Sequence, residues 1–175
     1  ASAAKMALDD AGIQITEENC RDTGIAIGNT LASNSSISNF DKDALTDGPR
    51  YVNPALFPNT VINSPASEVS IKFNIKGFNA TIATGFSAGL DAISYGLDLL
   101  KSGKAKIVLA GGVEELCVQL FLGFYKSGFL AGLKGSSPEI SCPFDKRRNG
   151  IILGEGSAVL VMEKLESAIE RKAKI

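Results

Sequence analysis

Thr81-Ile82-Ala83-Thr84-Gly85-Phe86-Ser87-Ala88-Gly89-Leu90-Asp91 is the stretch that decides how the rest of this chain is read. It begins as a short apolar strand, passes through a tight turn of small residues, and opens an amphipathic helix near Gly89. Such a turn pushes one side chain out where the free N–H groups of a helix and its positive dipole end converge. An enzyme would put a cysteine there, because the dipole stabilises the thiolate and lowers the thiol pKa. This chain has Phe86 at that point. A phenyl ring cannot ionise, attack a thioester or accept a proton. Thr84 and Ser87 carry hydroxyls, but a hydroxyl nucleophile needs an adjacent base, and Ser87 reads as an N-cap or first-turn residue.

Working outward, residues 87–102 predict a helix with Leu90, Ile93, Leu97 and Leu100 as its apolar stripe, ended by Gly103. Residues 79–83 and 106–110 read as strands on either side of it, which together make a right-handed βαβ unit with a parallel sheet. Upstream, residues 1–11 form a helix with Ala4, Leu8 and Ala11 on one face and Gly12 as C-cap, and residues 23–27 form a strand. The polar segment 31–58 is broken by Gly48-Pro49, Pro54 and Pro58, which predicts loop with one helical turn. Residues 59–73 are helix-compatible despite Pro65. Downstream, residues 150–162 are strand material around a bulge or turn at Gly154-Glu155-Gly156, and a charged helix follows from Leu165. Nothing repeats, and no linker divides the chain; it reads as one domain or one lobe of a domain.

At 175 residues, 45% hydrophobic and with 18 glycines, the chain suits one α/β core. A net charge of −1 argues against nucleic acid and anionic membranes as partners. No apolar run approaches the roughly 20 residues needed to span a bilayer, and the N-terminus lacks signal-peptide architecture. Cys20, Cys117 and Cys142 are odd in number and widely spaced. They suggest packed thiols in a reducing cytoplasm, without a disulfide framework or a C-x-x-C metal pattern, and none lies on a strand-to-helix turn of the kind described above. Gly111-Gly112 and Gly154-x-Gly156 fit neither a P-loop nor a dinucleotide fingerprint. Glu114, Glu115, Asp145 and Glu155 have no histidine beside them, because the chain contains none. They read as structural carboxylates paired with, for example, Arg147 or Arg148. No metal and no cofactor is expected.

Several motifs in order carry a family resemblance: residues 63–89 (NSPASEVSIKFNIKGFNATIATGFSAG), Ala110-Gly111-Gly112-Val113-Glu114, residues 144–150 (FDKRRNG) and Gly154-Glu155-Gly156. The chain resembles the β-ketoacyl-[acyl-carrier-protein] synthases, the decarboxylating condensing enzymes of fatty acid and polyketide synthesis, over essentially residues 1–175. The resemblance implies an α/β thiolase-like fold with a mixed or parallel sheet and packed helices. It also implies that residues 1–175 are an N-terminal lobe, with the opening strand and the C-terminal lobe (which holds the family's catalytic histidines) outside the chain. The family's nucleophilic cysteine lies in a T-A-C-x-x-G turn, and Phe86 occupies its position.

By the same register, Leu31, Leu116, Phe121 and Tyr125 fall where the family lines its acyl tunnel. Phe57 and Val61 match positions that reach across a dimer interface into a partner's tunnel. Active members often keep glycine where this chain has Phe121, and a close-packed channel does not absorb such a ring freely. Basic clusters at Lys101, Lys104 and Lys106 and at Lys146, Arg147 and Arg148 read as solvated faces, and Arg50 is the candidate for docking an acidic acyl carrier protein. The expectation is a catalytically silent, chain-length-factor-like subunit in a dimer with a ketosynthase. The alternatives are a condensing or malonyl-decarboxylating acyltransferase that works through its C-terminal half, and a non-enzymatic scaffold that only binds carrier protein.

Overall fold

The computed structural model of the chain describes residues 1–31, 33–133 and 138–175. In chain order it contains helix α1 (Ser2–Ala11), strand β1 (Thr23–Gly28), helix α2 (Asn34–Asp47), a 3-10 helix (Pro54–Asn59) and helix α3 (Ser64–Lys72). Strand β2 (Asn79–Ile82), helix α4 (Ala88–Lys101), strand β3 (Ile107–Glu114), helix α5 (Val118–Lys126), strand β4 (Gly156–Glu163) and helix α6 (Leu165–Glu170) follow. These elements fall into two units: Ala1–Ala32 with Val61–Glu114 and Gly156–Ile175, and Ser33–Thr60 with Glu115–Glu155.

The first unit is built on a four-stranded sheet in the order β2-β1-β3-β4. Strand β1 pairs in parallel with β2 and with β3, while β4 runs antiparallel to β3, so the sheet is mixed. The β2–α4–β3 connection therefore crosses over β1 rather than joining neighbours. Every residue of β1 is buried, as befits a central parallel strand covered on both faces. Ile25, Ile27 and Leu109 pack on one face with Ala4 and Leu8 of α1 and with Ala66 and Val69 of α3. Val108 and Ala110 alternate to the opposite face, against Leu100 of α4. Arg171 ties the C-terminal end of this unit to its start, donating to the Ala11 carbonyl at 2.8 Å and pairing with Glu163.

Strands β1 and β2 and helix α1 match their sequence signals closely, but three expectations need correction. Helix α4 does not bury the Leu90-to-Leu100 stripe: its sheet-facing side is Ala88, Ala92, Gly96 and Leu100, and Leu90 is 71% exposed. The helix lies so close to β3 that a Cβ on Gly96 would sit 2.9 Å from Val108 Cγ1, so only small residues fit the contact. Strand β3 runs four residues beyond its predicted end, because Gly111 and Gly112 continue the ladder opposite Val159 and Ala158. The segment expected to be loop contains the 14-residue α2. Its chain breakers all act beyond the helix: Gly48 ends it and Pro54 opens the 3-10 helix.

The second unit holds α2, the 3-10 helix and α5, where Phe40 and Phe57 meet edge-on with ring centroids 6.2 Å apart. Helix α2 buries none of its residues fully, which is why no apolar stripe announces it. Among the described residues no helix is long and apolar enough to cross a membrane.

Candidate functional site

Three parallel strands of the first unit end side by side. Gly28 of β1 pairs with Ile82 on one side and with Gly112 on the other. Open α/β sheets bind ligands in the crevice beyond the carboxyl ends of such strands. A cleft of about 430 Å³ lies there, lined among others by Gly28, Thr30, Gly85, Phe86, Gly89 and Glu114. Helix α4 points its N-terminus at it. The approach depends on Gly28: a Cβ there would stand 2.1 Å from the Ala88 carbonyl oxygen and 2.4 Å from Gly89 N.

The turn that enters α4 has a defined shape. Gly85 adopts φ +88°, in the region where a side chain is strained, and its carbonyl accepts the Ala88 N–H at 3.0 Å. Ser87 occupies the N-cap position without capping the helix: its hydroxyl donates at 2.9 Å to Asp91 Oδ2, which also accepts from Thr84 Oγ1. These hydroxyl donors, Thr84 first and Ser87 second, hold the Asp91 carboxyl below the ordinary carboxylate range. Through these contacts Ser87 and Thr84 tie the turn to the first turn of α4. Phe86 is 89% exposed, which excludes a role as ordinary core of this unit.

Glu114 ends β3 at the rim of the same cleft. Its carboxylate accepts the N–H of Thr30 at 2.8 Å and that of Leu31 at 3.1 Å. Thr30 Oγ1 in turn donates to the Gly85 carbonyl at 2.8 Å. Next to Thr30, Asn29 is 2% exposed; its Nδ2 donates to the Ile62 carbonyl at 2.9 Å, while its Oδ1 has no hydrogen-bond partner among the described residues. The sequence singled out Glu114 as a carboxylate, yet gave no reason to bring Thr30 to this site, since the two lie far apart in the chain.

Other carboxylates behave similarly. Glu115 accepts the Ser35 N–H and Glu155 the Leu116 N–H, both within the second unit. The expected arginine pairing occurs at Asp145, which takes Arg147 Nε and Nη2 at 3.1 and 3.0 Å and its backbone N–H at 2.7 Å. That contact holds the Asp145 carboxyl below its ordinary range. The Lys101–Lys106 cluster is exposed, with Lys106 paired to Asp22.

The candidate tunnel residues divide between the units. Leu31 and Val61 belong to the first, where Leu31 is exposed and held through its N–H by Glu114. Leu116, Phe121, Tyr125, Phe57 and Arg50 belong to the second. There Leu116 and Phe121 line one cleft of about 550 Å³ with Ser35, Asn39, Cys117 and Gln119. Tyr125 lies one turn further along α5 and does not line it; Phe57 packs on Phe40, and Arg50 sits exposed in the turn before the 3-10 helix. Cys117 lies between a strand and a helix, as the N-cap residue of α5, three residues after β3 ends, but it does not present its side chain outward. Reading β3 as ending at Ala110 concealed this position. The residue is 8% exposed, and its thiol makes no cap hydrogen bond.

The profile of the β-ketoacyl synthase N-terminal domain matches residues 1–168. The 3-oxoacyl-[acyl-carrier-protein] synthase 2 of Coxiella burnetii is 35% identical over 173 residues, covering 98% of this chain and 42% of the relative. The chain thus spans under half the length of the curated relatives it matches. Among solved structures, it superimposes with TM-score 0.87 and 29% identity on a chain of a type II polyketide synthase acyl-carrier protein in complex with its ketosynthase bound to the hexaketide; the match covers 99% of this chain and 44% of that one. The ishigamide ketosynthase/chain length factor matches with TM-score 0.85 and 34% identity, over 98% of this chain and 42% of that one. The fold is thiolase-like, with a mixed sheet and packed helices.

Proposed function

The chain belongs to the β-ketoacyl synthase family of fatty acid and polyketide biosynthesis, and on that footing we propose that the protein is a catalytically silent, chain-length-factor-type subunit that partners an active ketosynthase. The observation that carries this reading is Phe86. It stands at the apex of the turn into α4, exposed, at the carboxyl ends of three parallel strands. The family places its nucleophilic cysteine in this turn, where the helix N-terminus favours a thiolate. A phenyl ring there offers no lone pair to attack a thioester. The hydroxyls beside it, those of Thr84 and Ser87, both donate to Asp91.

The remaining assignments follow from the same register. Leu31, Leu116, Phe121 and Tyr125 occupy the subunit's own acyl channel, with the Phe121 ring taking volume that an acyl chain would need. Phe57 and Val61 shape the partner's channel and so set product length. Arg50 docks an acidic acyl carrier protein, steering its encounter more than fixing its affinity. The work takes place in the cytoplasm, with no resident cofactor or metal. Two neighbours support these partners by kind: one is a carrier protein in complex with its ketosynthase, the other a ketosynthase/chain length factor.

Incubating the protein with radiolabelled acyl-carrier thioester, alone and with a candidate partner synthase, tests this. The expected result is no covalent label on this chain, no carbon dioxide release by it alone, and altered product length when Phe57 or Val61 is changed in the pair. A covalent adduct on this chain would refute the proposal. Carbon dioxide release without an adduct would replace it with a malonyl decarboxylase.

A further inference from the structure

Polar contacts fix the backbone that leads into residue 86. Gly85, immediately before it, is in the left-handed region at φ +88° and has no heavy atom within 4 Å of its Cβ position. The Cβ side of this link is open, and polar contacts hold its carbonyl. The Gly85 carbonyl receives the Ala88 N–H at 3.0 Å from the helix side and the Thr30 hydroxyl at 2.8 Å from the β1 side. That carbonyl shares a rigid peptide plane with the nitrogen of residue 86, so its direction fixes where residue 86 starts. Thr30 is itself fixed by Glu114, whose carboxylate takes the Thr30 and Leu31 N–H groups. Hydrogen bonds to an ionised carboxylate are about twice as strong as neutral ones, which suits Glu114 to anchoring a loop at a cleft rim.

We propose that Glu114 and Thr30 are positioning residues that orient the side chain at position 86 toward the α4 N-terminus through a Glu114–Thr30–Gly85 tether. The tether runs from the end of β3, across the loop after β1, to the turn after β2, so all three parallel strand ends converge on the Gly85 carbonyl, in the peptide plane that leads into residue 86. Its importance for acyl chemistry rests on the reading of position 86 given above; the tether itself does not.

The test uses Phe86→Cys in the full-length protein as a reporter, with the unsubstituted protein as blank for the native cysteines. The introduced thiol is titrated by thiolate absorbance and by its alkylation rate at pH 7, with the urea midpoint measured for every variant. In Phe86→Cys alone the thiol titrates below the ordinary value of about 8.5. Adding Thr30→Val removes the hydroxyl and keeps the shape. The titration then moves up by roughly one unit and the thiolate fraction at pH 7 falls by about three- to tenfold, depending on the starting value, while Thr30→Ser restores both. Glu114→Gln keeps one acceptor oxygen and gives an intermediate shift. A thiol that is unperturbed in Phe86→Cys, a titration indifferent to Thr30→Val, or failure of Thr30→Ser to rescue would each overturn the proposal. None of these readouts depends on catalysis. An acyl adduct on the unsubstituted chain would overturn the silent-subunit reading and leave the tether standing.

Discussion

Two strand-to-helix turns in this chain make opposite arrangements of the same elements. The turn from β2 into α4 presents its apex residue outward, on a backbone fixed by polar contacts, but that residue is Phe86. The turn from β3 into α5 has the thiol, at the N-cap position, but Cys117 is 8% exposed. Thiol chemistry requires sulfur, a helix N-terminus and access at one point. The described residues supply all three, and neither of these two turns assembles them together. The lesson is that counting cysteines, or finding helix N-termini, says little until exposure is known at each.

The largest effect therefore comes from moving the sulfur. Phe86→Cys is expected to convert the first turn into a reactive site, with stoichiometric alkylation by iodoacetamide under conditions where Cys117 stays unmodified. The rates should differ by at least about a hundredfold, since a buried thiol reacts only through local opening. Mass-spectrometric mapping of the adduct checks this. If Cys117 in the unsubstituted protein reacts as fast as the introduced thiol, the contrast between the turns is void.

Next in size is the glycine that lets the first turn form. Gly28→Ala sets a methyl group 2.1 Å from the Ala88 carbonyl oxygen, and backbone on both sides has to shift. Overpacking of this kind costs about 1–3 kcal/mol or more, read as a lower urea midpoint. Its counterpart near the second turn is Gly123, exposed inside α5 with nothing within 4 Å of its Cβ position. Gly123→Ala should raise stability by about 0.5–1 kcal/mol, the difference in helix propensity. Equal responses at the two sites would mean that α4 is not seated against the end of β1 as described.

The same contrast explains what the sequence made legible. The α4 turn was visible because its signals are local: an apolar strand, Gly85, then a helical period ended by Gly103. Helix α1 and strand β1 were visible for the same reason. Helix α2 was not, since a helix with no fully buried residue has no stripe to betray it. The apolar stripe on α4 misled in the opposite direction: the residues that touch the sheet are small ones chosen for close approach, and Leu90 points to solvent. At the cleft, the turn's local signals and the family resemblance together singled out residue 86. The pairing of Thr30 with Glu114 was beyond reach, because hydrogen bonds between residues 84 positions apart leave no periodic trace.

Two aspartates give the smallest effect and sharpen the comparison furthest. Asp91 beside the first turn and Asp145 in the second unit both have carboxyl pKa values below the ordinary range, for different reasons. Neutral hydroxyls of Thr84 and Ser87 hold Asp91, whereas the Arg147 guanidinium and backbone N–H hold Asp145. A depressed folded-state value means that the stabilisation is fully present above the unfolded carboxyl pKa of about 3.9 and is lost as pH falls through the lower folded value. Asp91→Asn and Asp145→Asn should each be less stable than the parent at pH 7, with the gap closing as the pH is taken below 4. Salt separates them. Added sodium chloride screens an exposed ion pair, so the gap for Asp145→Asn shrinks with ionic strength. The gap for Asp91→Asn stays constant, because hydroxyl donors carry no net charge to screen. Urea midpoints of the three proteins at two pH values and two salt concentrations decide it. A salt-sensitive Asp91 would mean that a charge, and not the Thr84–Ser87 clamp, stabilises the turn carrying Phe86.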